Sequence, residues 1–241
     1  MFNNGVIEND TGDKICWNAK YYKDIKNNFE EMKKHYLMAI NKNYSDAMNN
    51  LGYYYHTIEK DYDEMKKYYL MSIELDNSNA MNNLGCYYDT IEKDYDEMKK
   101  YYLMSIELGN SNAMKNFGNY YYTIKNYDEM KKYYLMSIEK DNSGAMFSLG
   151  SYYYIIEKNY DETKKYYLMS IEKGNSNAMC FLGLYYYDIE KNDDEMKKYY
   201  LMSIEKDNKK ASNNLYVYYK DIEKNYDEMN KYFPFDVNMN S

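Results

Sequence analysis

Two histidines, His35 and His56, occur in the whole chain of 241 residues. They fall in different segments, with no second histidine four residues away and no cysteine partner. Neither a helical zinc site nor a nucleophile–base pair can be built from them, and both are read as solvated. The three cysteines, Cys16, Cys86 and Cys180, share no spacing and form no CxxC pair. An odd, scattered set argues against a disulfide framework and for a reducing compartment. Carboxylates are plentiful, but the recurrent pairs such as Asp63-Glu64 sit where helices are expected to start, where negative charge meets the positive end of the helix dipole. No glycine-rich phosphate loop, GxSxG or HExxH occurs. The expectation is therefore no enzyme, no cofactor and no metal site.

Tyrosine is the most abundant chemical resource, with 37 residues. Pairs recur at Tyr54-Tyr55, Tyr87-Tyr88, Tyr120-Tyr121, Tyr152-Tyr153, Tyr185-Tyr186 and Tyr218-Tyr219. Such pairs suit a stacking track for bases or sugars, or they pack one repeat on the next. Aromatic stripes at helical spacing favour packing. The net charge is -8, from 31 lysines against 39 acids, and arginine and glutamine are absent. Phosphate backbones are bound by clustered cations, so no nucleic-acid partner is expected. The first fourteen residues have no apolar run of the signal-peptide kind. No stretch approaches the ~20 apolar residues of a membrane span. A soluble, intracellular and most simply cytoplasmic protein is expected.

The elements that must carry these residues follow from a period. Alanine recurs at Ala47, Ala80, Ala113, Ala145, Ala178 and Ala211. The interval is about 33 residues, with one shorter by a residue, and such self-similarity marks a repeat architecture. In the short interval Thr123-Ile124-Lys125-Asn126 replaces the longer Thr90-Ile91-Glu92-Lys93-Asp94, which marks that stretch as a loop. Within the unit from Ala47, the positions Ala47, Leu51, Tyr54, Tyr55 and Ile58 share one helical face, and Met65, Tyr69, Ser72 and Ile73 share another. Tyr68, Leu70 and Met71 widen the second stripe, as in a helix packed on more than one side. Asn or Asp three residues before Glu, as in Asp61-x-x-Glu64, recurs at Asn28, Asp94, Asn126, Asn159, Asn192 and Asn225 and predicts the start of each second helix. Lys67 is expected to pair with Asp63 four residues earlier. Asp76-Asn77-Ser78-Asn79 should end one unit and cap the next. Gly52, Gly85, Gly118, Gly150 and Gly183 recur inside first helices. Glycine there costs about 1 kcal/mol against alanine, so close helix–helix approach is the expected reason.

The predicted fold is all-α, a right-handed α-α superhelix (solenoid) of about seven helix–turn–helix repeats. The expected domains are a leader at 1–13, a repeat array at 14–233 and a tail at 234–241. The units lie near 14–46, 47–79, 80–112, 113–144, 145–177, 178–210 and 211–233. The terminal units depart from the pattern as capping repeats do, and the last second helix is cut short at Phe233-Pro234.

These units resemble tetratricopeptide repeats, and more particularly the Sel-one-like variety. The residues that carry the resemblance are Ala47, Leu51-Gly52, Tyr55, Tyr68-Tyr69 in place of Trp-Tyr, and Ser72-Ile73 in place of paired alanines. Gly109-Asn110 and Gly174-Asn175 keep the closing pair. The likeness runs from about Lys14 to Phe233. The glycine-containing turn between the helices is replaced here by Glu-Lys-Asp/Asn-Tyr. The resemblance implies a protein or peptide partner held in a concave groove lined by the first helices.

Variation among the repeats points to the same face. Two, six and nine residues after each alanine the residue types change freely. They read Asn49, Tyr53, His56; Asn82, Cys86, Asp89; Lys115, Asn119, Tyr122; Phe147, Ser151, Tyr154; Cys180, Leu184, Tyr187; Asn213, Val217, Lys220. Either these positions bind something or they drift on a solvated face, and the sequence leaves both open. Phe147, Tyr154, Cys180, Phe181, Leu184 and Tyr187 would form an apolar patch, and such patches mark interfaces. Lys115, Asn119 and Tyr122 adjoin it, and Ser151 lies among them. The carboxylate clamp of some tetratricopeptide domains is incomplete here and is not expected. The expected function is a non-catalytic scaffold or adaptor, with self-association through the patch as the alternative.

Overall fold

Residues 12–232 are described by the computed structural model, and among them fourteen α-helices and five short π-helical turns occur without any strand. The expected tail, and all but the last two residues of the expected leader, lie outside the described residues. The chain falls into two compact bodies that divide at Phe117/Gly118. The first holds α1 (Gly12–Asp24), α2 (Phe29–Ile40), α3 (Ser45–Tyr54), α4 (Tyr62–Ile73), α5 (Ser78–Tyr87), α6 (Tyr95–Glu107) and the start of α7 (Ser111–Thr123). The second continues with α8 (Tyr127–Ile138), α9 (Ser143–Tyr152), α10 (Tyr160–Glu172), α11 (Ser176–Tyr185), α12 (Asp193–Ile204), α13 (Lys209–Val217) and α14 (Tyr226–Lys231). In each body helices pack in consecutive pairs, such as α3 on α4 and α11 on α12, and each second helix packs on the next first one. This is the all-α helix–turn–helix repeat class.

Side-chain caps decide where the helices begin. Every second helix starts at an Asn or Asp whose side chain accepts the amide N–H of the glutamate three residues on, from Asn28 with Glu31 to Asn225 with Glu228. That satisfies an amide left without an intrahelical partner. Asn77 likewise caps α5 by accepting from Asn79 and Ala80. The residue before each such cap takes a positive φ, as at Asp76 (54°) and Asp207 (58°). The left-handed region is costly for residues with a Cβ, and glycine fills it at Gly109 and Gly174 (φ 78° and 80°). The closing Gly-Asn pair is thus a helix stop followed by a cap.

The turn inside each repeat is where expectation and structure part. In five of the seven repeats it is a continuation of the first helix as a π-helical turn, at Tyr55–Glu59, Tyr88–Glu92, Tyr153–Glu157, Tyr186–Glu190 and Tyr218–Glu223, not a simple loop. Each is closed by a lysine in the left-handed conformation, such as Lys60 and Lys158. A π turn accommodates one extra residue in an α-helix. The shorter repeat lacks that residue, and its helix α7 runs as ordinary α to Thr123. The missing residue is the glutamate itself, so the wide turn and its carboxylate are lost together.

That glutamate has a defined task. Glu157 Oε1 accepts from the Tyr152 hydroxyl (2.7 Å) and from Lys131 Nζ on α8 (2.5 Å). Tyr54 and Lys33 meet Glu59 at 2.8 and 2.9 Å, Tyr87 and Lys66 meet Glu92 at 2.5 and 3.0 Å, and Tyr185 and Lys164 both meet Glu190 at 3.0 Å. The bond from Lys131, reinforced by that from Tyr152, holds the Glu157 carboxyl below its ordinary range. Glu157→Ala is expected to cost about 0.5–1.5 kcal/mol, because it removes two hydrogen bonds from a partly buried site. The urea midpoint reads this loss. An unchanged midpoint would show that water replaces the carboxylate without penalty.

Packing explains the tyrosine excess. The first tyrosine of a pair is buried, as at Tyr54, Tyr87, Tyr152, Tyr185 and Tyr218. The second stacks almost parallel on a tyrosine of the following helix: Tyr55 on Tyr68, Tyr88 on Tyr101, Tyr121 on Tyr133, Tyr153 on Tyr166 and Tyr186 on Tyr199. Centroids lie 5.4–5.7 Å apart at 3–5°, within the range of favourable offset stacking. These stacks commit the paired rings to packing one helix on the next. The recurrent serine is also committed: Ser72, Ser105, Ser170 and Ser203 are fully buried and donate to the carbonyls of Ser45, Ser78, Ser143 and Ser176 at 2.7–2.8 Å.

Three smaller expectations are corrected. Lys67 pairs with Glu64 at 2.9 Å, not with Asp63, because the three-residue spacing brings the chains together. Leu70, with Leu37, Leu103, Leu135, Leu168 and Leu201, is exposed, so the second helices are not apolar around their girth. His35 is buried, not solvated: its Nδ1 donates to the Glu31 carbonyl (2.7 Å) and its ring lies 5.0 Å from Tyr22. His56 is half-buried beside Tyr62 and Tyr87. Burial, helped by Lys60, lowers its pKa.

Candidate partner-binding face

The first helices of the repeats present the residues singled out by internal variation. The structure shows that the position two after each alanine is not idle. At Asn49, Asn82, Phe147 and Cys180 it touches the position three after the next alanine. In the first body Asn83 Nδ2 donates to Asn49 Oδ1 (3.0 Å) and Asn116 Nδ2 to Asn82 Oδ1 (3.0 Å). In the second body the same rung is Phe147 against Phe181, edge to face at 5.1 Å, and then Cys180 facing Asn214 with Sγ to Nδ2 at 3.8 Å. The asparagine rungs of one body are replaced in the other by one aromatic rung and one thiol–amide rung.

The position six after each alanine meets the tyrosine hydroxyl that crosses from the second helix. Asn119 Oδ1 accepts from Tyr134 (2.7 Å), Ser151 and Tyr167 share a bond of 3.2 Å, and Cys86 Sγ accepts from Tyr102 (3.3 Å). Leu184 offers no such partner, so the Tyr200 hydroxyl accepts from Asn214 (3.4 Å) instead. These rings pass directly over the recurrent glycines. A Cβ on Gly52, Gly85, Gly118, Gly150 or Gly183 would stand 2.6–2.7 Å from a carbon of Tyr69, Tyr102, Tyr134, Tyr167 or Tyr200. The reason for these glycines is a tyrosine ring laid on the helix.

The sequence-derived candidates therefore separate. Lys115 is half-buried on the part of α7 that belongs to the first body. The others lie in the second body. Asn119, Tyr122, Phe147, Ser151 and Phe181 line one open cleft together with Tyr134 and Ile155. Leu184 and Tyr187 line a second of about 210 Å³, with Val217, Tyr218 and Ile222. Cys180, Phe181 and Leu184 border a third of about 370 Å³, with Lys209, Lys210, Asn213 and Asn214. Cys180 is buried, and burial pushes its thiol up to about 11, so it is a floor residue rather than a reactive group. Tyr154 is half-buried and donates to Asp188 (3.2 Å). Burial, with that carboxylate, pushes its phenol up to about 12. Lys209, Lys210 and Ile222 were missed by the sequence reading, and Val217 was named there only among the varied positions. The available signal was the charge pattern: α9 and α11 contain no charged residue, and α13 contains only the two lysines.

Among the described residues no cluster of three or more metal-ligating side chains occurs, and no helix is long and apolar enough to cross a membrane.

No protein-family model and no curated protein sequence matches the chain. Solved structures do. A Sel1 repeat protein from Oxalobacter formigenes is 22% identical with a TM-score of 0.72, over 92% of this chain and 95% of that one. A protective antigen of uropathogenic Escherichia coli strains, displaying an SLR fold, is 21% identical with a TM-score of 0.58, over 92% of this chain and 52% of that one. The immunity protein Pa5087 from Pseudomonas aeruginosa is 22% identical with a TM-score of 0.61, over 80% and 81%. At these identities the likeness defines the fold, and the fold is that of a Sel1-like, tetratricopeptide-like repeat protein.

Proposed function

We propose that the chain is a non-catalytic interaction scaffold whose second body holds a peptide or helix of a partner protein on the face of α9, α11 and α13. The observation that carries this reading is a cleft with apolar walls between the last repeats of the second body. Between α11 and α13 Leu184, Tyr187, Val217 and Ile222 line it together. Val217 and Ile222 are exposed. Apolar side chains left in contact with water beside a preformed cleft are the usual anchor sites for a partner's side chains. The similar structures agree in kind, since one is described as an immunity protein, and interaction is the ordinary use of stacked helical repeats.

Leu184 and Val217 are the residues to change. Phe147 is a poor probe, because its ring stacks on Tyr167 at 5.8 Å and its loss would disturb packing. With Val217→Glu or Leu184→Glu, capture of the partner from a cell extract is expected to fall at least tenfold while helical circular dichroism is unchanged. Retention of the same proteins by both variants would overturn the proposal. Self-association through the same cleft is the competing reading, and a monomer by light scattering at micromolar concentration excludes it.

A further inference from the structure

The face just described also carries a charge pattern that narrows the kind of partner. The chain as a whole is acidic, with a net charge of -8, and would repel an acidic ligand at long range. Yet none of the residues lining the three clefts just described on this face is acidic. The two charged ones are Lys209 and Lys210, both exposed at the start of α13. The second and third clefts share Leu184 and Asn214, so they form one furrow between α11 and α13. One end is apolar, walled by Tyr187, Val217, Tyr218 and Ile222. The other has an apolar floor of Phe181 and Leu184 beneath the two lysines and Asn213.

We infer that this furrow selects an acidic, aliphatic segment of a partner protein, with its aliphatic side chain seated at Leu184, Val217 and Ile222 and its carboxylate at Lys209 and Lys210. The inference rests on the scaffold reading above and adds the chemistry of the ligand. Charge complementarity argues for it, since a cationic end in an otherwise acidic protein steers and orients an anionic ligand. Asn214 adds a donor whose present contacts are long, 3.4 Å to Tyr200 and 3.8 Å to Cys180. Geometry sets the spacing. Lys210 and Val217 are seven residues apart on α13, about 10 Å at 1.5 Å per residue. An extended segment covers that span in about three residues. The expected motif is therefore Leu, Ile or Val with Asp or Glu about three positions away.

A random-heptamer display library selected on the intact protein, and in parallel on Lys209→Gln/Lys210→Gln and on Val217→Glu, tests this. Selection on the intact protein should enrich acidic residues at least fivefold, three positions from an aliphatic one. The double lysine variant should keep the aliphatic preference and lose the acidic one, and Val217→Glu should lose both. Absence of binders, a preference for basic or uncharged sequences, or an acidic preference undiminished in the double variant would overturn the inference. So would a self-associating intact chain made monomeric by Val217→Glu, which would assign the furrow to a second copy. Loss of cell-extract capture with Val217→Glu, but no acidic selection, would leave the scaffold reading standing and remove this one alone.

Discussion

Above pH 10 the protein is expected to unfold in a narrow step in which tyrosinate absorbance and loss of helical circular dichroism coincide. The cause is the number of phenols sealed inside the repeats. Burial pushes Tyr134 and Tyr167 up to about 12 and drives Tyr36, Tyr69, Tyr102 and Tyr200 higher still. All six are buried. An unfolded tyrosine ionises near pH 10. The folded state keeps protons that the unfolded state has released, so the stability from these rings is complete below pH 10 and declines as pH rises above it. Each group loses about 1.4 kcal/mol per pH unit in that interval. Six together remove on the order of 8 kcal/mol by pH 11, comparable with the whole stability of about 5–15 kcal/mol of an ordinary domain. Lysines held charged by glutamate, Lys131 by Glu157 foremost, lose their protons at high pH and act in the same direction. Gradual ionisation with the helices intact would show that the rings open to solvent one at a time.

The second large effect has the opposite sign from what helix propensity dictates. Gly150→Ala in an open helix would stabilise by about 1 kcal/mol. Here the new Cβ would stand 2.7 Å from Tyr167 Cδ1, 2.9 Å from Cε1 and 3.3 Å from the Cβ of Tyr166. The ring cannot swing away: it is fully buried, Phe147 stacks on one face and Ser151 bonds its hydroxyl. Overpacking of this kind costs about 1–3 kcal/mol, so a net loss is expected in the urea midpoint. A double-mutant cycle with Tyr167→Leu isolates the cause. In the leucine background the alanine should cost little. Equal losses in both backgrounds would place the strain in the helix rather than against the ring.

Those two effects show where sequence reading runs out. The recurrence of glycine at Gly52, Gly85, Gly118, Gly150 and Gly183 signalled a close approach, because five repeated propensity losses need a common reason. Which atom approaches was not legible, since a tyrosine sixteen or seventeen residues downstream reaches its glycine only through the angle between two packed helices. The caps from Asn28 to Asn225 were legible in full, because a side chain bonding an amide three residues away is a local event. The one-residue shortening near Lys125 was visible, but its meaning as an absent π turn was not. A wide turn is held by Lys131, twenty-six positions upstream, meeting Tyr152 and Glu157 on the helix end itself. His35 was misjudged for a related reason: a lone polar residue has no period to reveal its face, and its carbonyl partner is invisible in residue types.

The candidate site divides along the same line. Internal variation pointed to Phe147, Phe181, Leu184 and Tyr187, but variation alone does not distinguish a rung from a lining residue. Cys180 and Phe147 are largely absorbed in packing, whereas Val217, Ile222, Lys209 and Lys210 face the furrow. What the amino-acid sequence determined by itself is the repeat, its helices, their caps and their stops, because each depends on neighbours within a few residues. Tertiary structure alone decided which rings are buried, which glutamates hold a tyrosine and a lysine together, and which side of the first helices remains open. Those outcomes depend on contacts between residues some fifteen to thirty-five positions apart, and only the packing of one repeat on the next brings them together.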